Sequence, residues 1–193
     1  MELVRLRNEN IKEFKQLMID AFQYGYEAVY GKSKEQILPE NDIDNDLNNK
    51  NSCAYEMLEN NQIVGGVVVT IDKETNHNHL DFLFVKVGVQ SKGIGQSIWK
   101  QIEDLYPNTK IWETCTPYFD KRNIHFYVNR LGFHIVEYFN EKHPDPNMQL
   151  DCYKEDDGML SYHYSTDKGK IEGMLTNIIS VGCKPKDTEI AES

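Results

Sequence analysis

The sequence predicts an α/β protein with a mixed, mostly antiparallel central sheet of about six to seven strands and helices on both faces. Strand-like segments in the first third are joined by a hairpin signal, Glu-Asn-Asn at residues 59–61. Later strand-like segments alternate with helical patterns, which indicates helices connecting strands of one sheet. A glycine-containing junction at residues 90–95 joins one such strand directly to a helix.

The first half of the chain contains three predicted strands and one long helix. Residues 2–7 alternate as a short strand, and residues 53–58 and 62–71 form the two strands of the hairpin. A helix follows the first strand, because apolar residues recur there at helical spacing. These residues are Ile11, Phe14, Leu17, Met18, Ala21 and Phe22. Residues 31–50 are polar and turn-rich, and Pro39 either ends an element or begins a short helix.

The second half alternates strands and helices. A helix is predicted directly after the junction, because four apolar residues lie on one of its faces. These are Ile94, Ile98, Ile102 and Leu105. Further strands are predicted at 79–87, 111–116, 133–139 and 159–164, and a further helix at 123–130.

The composition is typical of a single globular domain. The chain has 193 residues, of which 39% are hydrophobic and 27% charged, enough for one core. The formal net charge of −10 argues against binding to nucleic acid or to an anionic membrane surface. The longest apolar stretch, residues 63–71, is too short to span a bilayer. Because the first ten residues lack an apolar signal-peptide core, the sequence predicts a cytoplasmic protein.

Two patterns resemble metal sites and are rejected. Residues 42–46 read Asp-x-Asp-x-Asp like the start of an EF-hand loop, but Leu47 and Cys53 occupy the positions that need Gly and Glu. His77 and His79 have no third ligand at a recognisable spacing, so they are predicted to be solvent-exposed polar residues. The four cysteines form no C-x-x-C pair, which favours free thiols. We therefore predict no metal site.

The junction at residues 90–95 is a candidate phosphate site. It places helix N-terminal N–H groups at the positive end of the helix dipole, and Gly93 and Gly95 have no Cβ to keep an anion at a distance. A P-loop motif is absent, and the third glycine of a dinucleotide fingerprint would fall at Ile98. The remaining pattern, Gln-x-x-Gly-x-Gly, is consistent with either a phosphate loop or an ordinary strand-to-helix turn.

A second segment, residues 121–139, distinguishes these alternatives. Asn123 and Tyr127 are four apart and share a helical face, and Leu-Gly-Phe at residues 131–133 is typical of a helix end followed by a strand. Together the two segments resemble the GNAT superfamily of N-acetyltransferases, over residues 1–164. The resemblance implies the GNAT fold, in which the sheet is splayed at an acyl-CoA site.

The resemblance also implies the chemistry. Acetyl-CoA would be the co-substrate, and its acetyl group would pass by direct attack to a primary amine of a small molecule or peptide. The junction would bind the pyrophosphate, and the preceding strand would bind the pantetheine arm through backbone groups. The implied cofactor-binding residues are Phe84, Val85, Val87, Gln90, Ser91, Lys92, Gly93, Ile94, Gly95, Gln96 and Asn123. Tyr127 would be the general acid, because its usual pKa of about 10 suits proton donation to a thiolate.

A general base is less clearly indicated. The candidates are Glu113, on the strand after the junction helix, and Asp81, on the strand that leads into the junction. Either would act through water rather than directly. A surface ion pair is the alternative role for both carboxylates. Many members of the family have no dedicated base.

Residues 165–193 extend beyond the resemblance. Helical spacing of apolar residues, followed by Gly182 and Pro185, predicts a short amphipathic helix within residues 166–186. This helix would pack on the domain or on the second subunit of a homodimer, and a loosely held tail is the alternative. The second function considered is an acyl-CoA-binding sensor of the same fold without turnover. The presence of both the junction and Tyr127 favours the enzyme.

Overall fold

The computed structural model of the protein describes residues 1–90, 92–144 and 158–165. Within these residues, seven strands form one sheet in the order β1-β2-β3-β4-β5-β7-β6. The strands are β1 Glu2–Arg5, β2 Ser52–Glu59, β3 Gln62–Thr70, β4 His77–Val85, β5 Ile111–Pro117, β6 His134–Phe139 and β7 Met159–Ser165. Among these described strands, β4 and β5 pair in parallel and the other neighbours are antiparallel. The predicted mixed, mostly antiparallel sheet is therefore confirmed.

Four α-helices accompany the sheet in the described part of the chain. They are α1 Ile11–Tyr30, α2 Glu40–Asn48, α3 Ile94–Leu105 and α4 Lys121–His125. A 3-10 turn, Asn8–Asn10, precedes α1, and a π-helix, Phe126–Leu131, follows α4 without a break. Pro39 immediately precedes α2, where its missing N–H costs no helical hydrogen bond. Within the described residues, no helix is both long and apolar enough to cross a membrane.

The β2–β3 hairpin confirms the turn predicted from the sequence. Asn60 and Asn61 have φ angles of 51° and 62°, which is the backbone conformation of a type I′ turn. Asparagine tolerates this left-handed region better than most residues, so the local sequence determines the turn.

The two faces of the sheet are covered by different helices. The α3 face is packed by α3 and the π-helix around Ile98, Trp99 and Trp112. The α1 face is packed by α1 and α2 around Phe14 and Ile43, together with residues of β3 and β4. Helices on both faces were predicted, and this arrangement confirms them.

β4 and β5 separate along their length, and this parting positions the candidate site. Their pairing runs from His77 opposite Ile111 to His79 opposite Glu113. β4 then continues to Val85 beside β3, while β5 continues beside β7. The gap between residues 80–85 of β4 and residues 114–117 of β5 is called the fork below.

Two predicted boundaries at the fork were wrong. β4 ends at Val85, not at residue 87, because Lys86 donates its N–H to the Val64 carbonyl and Gly88 turns the chain at a φ of 90°. Val87 is therefore an exposed loop residue. The helix predicted at 123–130 begins at Lys121, where Asp120 caps it by accepting a hydrogen bond from the Asn123 N–H.

Some predictions fall outside the described residues. They concern Ser91 and the predicted C-terminal helix within 166–186.

Candidate functional site

The first turn of α3 lies beside the fork and presents free backbone N–H groups. Gly93 is the N-cap, in the left-handed region at a φ of 75°, and no side chain of the described residues caps this helix end. The N–H groups of Ile94, Gly95 and Gln96 have no partner one helical turn earlier. They lie at the positive end of the helix dipole, where an anion is stabilised.

Two glycines of the junction are required for different physical reasons. Gly93 has open space around it, so its role is its positive φ, which side chains rarely adopt. A Cβ on Gly95 would lie 2.9 Å from the Cζ of Phe126, so Gly95 lets the π-helix pack against α3. From the sequence, both glycines were predicted to give an anion access to the backbone. For Gly95 this prediction is wrong, because packing already occupies the space beside its Cα.

The loop before α3 is closed by its own hydrogen bonds. Gln90 Oε1 accepts a hydrogen bond of 2.8 Å from the Gly88 N–H, and the Val89 N–H donates to the Lys86 carbonyl at 3.3 Å. Lys92 is exposed at the start of the helix. Gln90 therefore shapes the loop, while Lys92 places a cation near the helix end.

The edge of β4 that faces the fork carries unpaired backbone groups. Lys86 donates its N–H to Val64 on β3 at 3.0 Å. Because successive residues of a strand direct their backbone groups to opposite sides, the N–H and C=O of Val85 face the fork. The Phe84 side chain is buried edge-on against Phe14, with ring centroids 5.0 Å apart, and holds this part of β4 in place.

Tyr127 lies on the α3 face beside the fork. Its ring is buried among Phe126, Phe133 and Tyr162, each with a centroid 5.6 Å away. The π-helix begins one residue before Tyr127, and such insertions are frequent at functional sites. Asn123 lies half-buried one turn earlier, on α4.

Burial governs the acidity of Tyr127. Burial raises the pKa of Tyr127 to about 12, although the nearby hydroxyls of Thr114 and Thr116 oppose the shift. Thr114 Oγ1 also donates to the Leu80 carbonyl at 2.9 Å, across the start of the fork. The phenol is therefore held next to the fork and remains protonated at neutral pH.

The α1 face of the fork carries a pair that the sequence analysis missed. His79 Nδ1 lies 2.6 Å from Asp81 Oδ1, and Asp81 Oδ2 accepts a hydrogen bond of 2.8 Å from Thr70. Asp81 is the extra residue of a β-bulge in β4. Leu80 lies opposite Val69 and Phe82 lies opposite Val68, so no residue of β3 lies directly opposite Asp81. Residues two apart in a strand face the same side, so Asp81 shares the α1 face with His79, and the bulge turns Phe82 to that face as well. The His79 side chain is 39% exposed, but its pairing with Asp81 was not predicted from the sequence.

The His79 imidazole is strongly basic. Burial disfavours its charged form, but hydrogen bonds to Asp81 and Cys115 outweigh this effect and raise the pKa of His79 to about 10. Asp46, half-buried on α2, faces the same pair. Burial, and then the negative charge of Asp81, raise the pKa of Asp46 to about 6.

Glu113 also lies on the α1 face. It is adjacent in β5 to Thr114, and neighbouring strand residues face opposite sides of a sheet. His163 Nε2 of β7 lies 3.8 Å from Glu113 Oε1, and its hydrogen bonding lowers the pKa of Glu113. Tyr127 and the two candidate bases therefore lie on opposite faces of the same fork. Within the described residues, no cluster of three His, Cys, Asp or Glu side chains is arranged to hold a metal ion.

Comparison with known proteins identifies the arrangement. Residues 11–133 match the model of the Acetyltransferase (GNAT) family. The chain is 41% identical to the Bacillus subtilis (strain 168) uncharacterized protein YrkN over 156 residues, which cover 80% of this chain and 84% of that one.

Solved structures share the fold at low identity. The PaiA N-acetyltransferase of Thermoplasma acidophilum, in complex with coenzyme A, superposes with a TM-score of 0.59 at 15% identity, over 84% of this chain and 98% of that one. A GNAT family acetyltransferase of Elizabethkingia anophelis with acetyl-CoA bound gives a TM-score of 0.60 at 17% identity, over 85% and 97% of the two chains.

Proposed function

This chain belongs to the Acetyltransferase (GNAT) family, and from that premise we propose that it is an N-acetyltransferase. It would transfer the acetyl group of acetyl-CoA to a primary amine of a small molecule or peptide, by direct attack. The observation that supports this proposal is the fork between β4 and β5. The uncapped N-terminus of α3 follows β4 there, and the buried Tyr127 lies beside the fork on the α3 face.

The N-terminus of α3 is the proposed pyrophosphate site. The N–H groups of Ile94, Gly95 and Gln96 are oriented for an anion, and Gly93 gives open access to them. Lys92 and Ser91 complete the proposed set in the loop, and Gln90 contributes by holding the loop closed. Coenzyme A and acetyl-CoA are bound in the two solved structures that share this fold.

The fork itself is the proposed site of the pantetheine arm. Val85 offers its backbone N–H and C=O to an extended chain that enters between β4 and β5, as an added strand would. Phe84 supports the strand by packing rather than by facing the arm. Val87 lies in the loop after β4, so we propose that it contacts the cofactor from this loop rather than from the strand. Asn123 lies on the first turn of α4 and is proposed to contact the cofactor from the opposite wall.

Tyr127 is proposed as the general acid. The amine nitrogen attacks the thioester carbonyl, the C–S bond breaks, and the sulfur takes the phenolic proton of Tyr127. A pKa of about 12 keeps Tyr127 protonated until the sulfur becomes anionic. Burial also raises the pKa of the thiol that leaves in the fork. The difference in pKa between Tyr127 and this thiol is therefore smaller than it would be in water.

Glu113 is proposed to receive the proton of the amine through water. It is half-exposed, with 50% of its side chain accessible, and it lies on the face opposite Tyr127. Its lowered pKa makes Glu113 a weak base, and a bridging water would carry the amine proton to it. Asp81 is the second candidate, and both its carboxylate oxygens already accept or share hydrogen bonds.

Calorimetry with acetyl-CoA and with CoA, followed by a thiol-release screen, tests the proposal. The screen uses polyamines, aminoglycosides, amino acids and peptides as acceptors. Acceptor-dependent thiol release would support the transferase and identify the class of amine. Cofactor binding without release by any acceptor would favour the acyl-CoA sensor, and failure to bind either cofactor form would contradict both functions.

A further inference from the structure

The hydroxyl of Tyr162 is a buried polar group without a partner. Tyr162 is 0% exposed, and its hydroxyl makes no hydrogen bond to any described residue. A buried hydroxyl with no partner costs about 1–3 kcal/mol of stability relative to a satisfied one. Phenylalanine would fill the same space without that cost, so the hydroxyl calls for an explanation.

Tyr162 stands next to the proposed acid. On β7 it is directly opposite Thr114 of β5, and it lies on the α3 face of the sheet. Its ring centroid is 5.6 Å from that of Tyr127. Thr114 forms the hydrogen bond that crosses the start of the fork to Leu80. Two phenol rings therefore pack side by side on the α3 face, Tyr162 on the strand next to β5 and Tyr127 on the π-helix.

The two phenols differ in their hydrogen bonding. The hydroxyl of Tyr127 is within hydrogen-bonding reach of Thr114 and Thr116, whereas that of Tyr162 has a free donor. Burial and the nearby Tyr127 and Asp120 raise the pKa of Tyr162 well above its usual value. Its proton is therefore retained at neutral pH and is available for donation in a hydrogen bond.

We propose that the Tyr162 hydroxyl donates a hydrogen bond to the sulfur of the cofactor, as a second catalytic group beside Tyr127. This rests on the proposed function, since it needs a thioester in the fork. When the C–S bond breaks, its electron pair passes to the sulfur, and the proton that neutralises the sulfur comes from Tyr127. Tyr162 keeps its own proton and stabilises the negative charge as it develops.

Binding of CoA and of desulfo-CoA, which lacks the sulfur atom, tests the proposal without an acceptor. Calorimetry at pH 9 measures both ligands, because a thiol with a pKa of about 8.5 is then largely thiolate. We expect the wild type to prefer CoA, and Tyr162→Phe to reduce that preference by about tenfold, the effect of one hydrogen bond to a charged group. Binding of desulfo-CoA should not change.

Tyr164→Phe is the matched control. Tyr164 lies two residues further along the same strand and the same face, and its hydroxyl interacts with Glu103 of α3 rather than with the fork. This substitution should leave the preference for CoA unchanged. An equal effect of both substitutions would overturn the proposal, because it would indicate a general disturbance of the α3 face.

Thermal unfolding distinguishes the proposal from a structural role. Removing an unpartnered hydroxyl should leave the Tm of the Tyr162→Phe protein unchanged or raise it. A lower Tm with an unchanged preference for CoA would overturn the inference, since the hydroxyl would then serve the fold, through a buried water for example. If the wild type binds CoA but Tyr162→Phe has the same preference for CoA over desulfo-CoA, the proposed function stands and the role of Tyr162 alone is excluded.

Discussion

On the α3 face of the fork the ionisable groups are tyrosines buried among aromatic rings, whereas on the α1 face they are carboxylates and histidines that reach solvent. Burial raises the pKa of Tyr127 to about 12, so one face retains protons. On the other face, hydrogen bonds to Asp81 and Cys115 together outweigh the effect of burial on the pKa of His79, and His163 lowers the pKa of Glu113. The proton donor and the proton acceptors therefore lie on opposite faces of one sheet, the donor in a dry environment and the acceptors in a hydrated one. This separation keeps the donor from giving its proton directly to the acceptors.

Replacing Tyr127 by Phe tests the donor side and should have the largest effect. Loss of the acid should lower kcat by about 100-fold or more, because a positioned general acid contributes about 10²–10⁴-fold. The affinity for CoA should remain within about twofold of the wild type, since the ring still fills its site. Steady-state thiol release and calorimetry measure the two quantities.

Tyr106→Phe is the control for that substitution. Its hydroxyl forms a 2.7 Å hydrogen bond with Tyr55, near the C-terminal end of α3 and away from the fork. Equal losses of kcat in both variants would remove the special role of Tyr127.

Adding a methyl group at Gly95 tests the packing that keeps the donor side dry. Gly95→Ala should lower the free energy of unfolding by about 1–3 kcal/mol, because the new Cβ overlaps the Phe126 ring. In the Phe126→Leu background, Gly95→Ala should lower the free energy of unfolding by less than it does in the wild type. Denaturant unfolding of the four proteins forms the cycle, and simple additivity would contradict the packing explanation.

Replacing His79 by Gln tests the ion pair of the acceptor side. The pKa of His79 is raised from 6.5 to about 10 on folding, so its contribution to stability is fully present below pH 6.5 and is lost as the pH rises through 10. The wild type should therefore exceed His79→Gln in unfolding free energy by about 1 kcal/mol near pH 7, after solvent screening of this 39%-exposed side chain. Unfolding at several pH values between 6.5 and 10 measures the gap. A gap that does not narrow with rising pH would exclude the ion pair as its cause.

Replacing Asp46 by Asn should have the smallest effect, and in the opposite direction. The pKa of Asp46 is raised from 3.8 to about 6, so the folded wild type is disfavoured progressively as the pH rises through this range. At pH 7.5 we expect Asp46→Asn to be more stable than the wild type by about 1 kcal/mol or less. Asp104→Asn, at an exposed position of α3, is the control. Greater stabilisation at pH 4 than at pH 7.5 would contradict the assignment.

Most of the fold could be predicted from the sequence, because its determinants are local. The two asparagines of the β2–β3 turn, the apolar spacing in α3 and the Gly93 junction each act within a few residues. The parting of the sheet at the fork was implied by the family resemblance and is seen in the end of β4–β5 pairing at His79.

The details of the site depend on contacts between distant residues. The bulge at Asp81 changes which side chains share a face, and an alternating pattern contains no signal for such an insertion. The need for Gly95 depends on Phe126, which approaches from another helix. The position of Tyr162 beside Tyr127 depends on the β5–β7 register, which the sequence does not contain. The alternating pattern of its strand could have suggested only that Tyr162 lies on a buried face.

A sheet that divides between two of its strands has two inner edges in addition to its outer ones at β1 and β6. Exposed strand edges invite pairing with other chains, which is a common route to aggregation. Here the inner edges face each other, and α3 with the π-helix lies across one side, so a second copy of the chain has little access to them. The molecule can therefore leave the backbone of Val85 unpaired inside its own body. A narrow guest that completes the sheet would also stabilise the folded state, by about 2.7 kcal/mol at a hundred times its Kd.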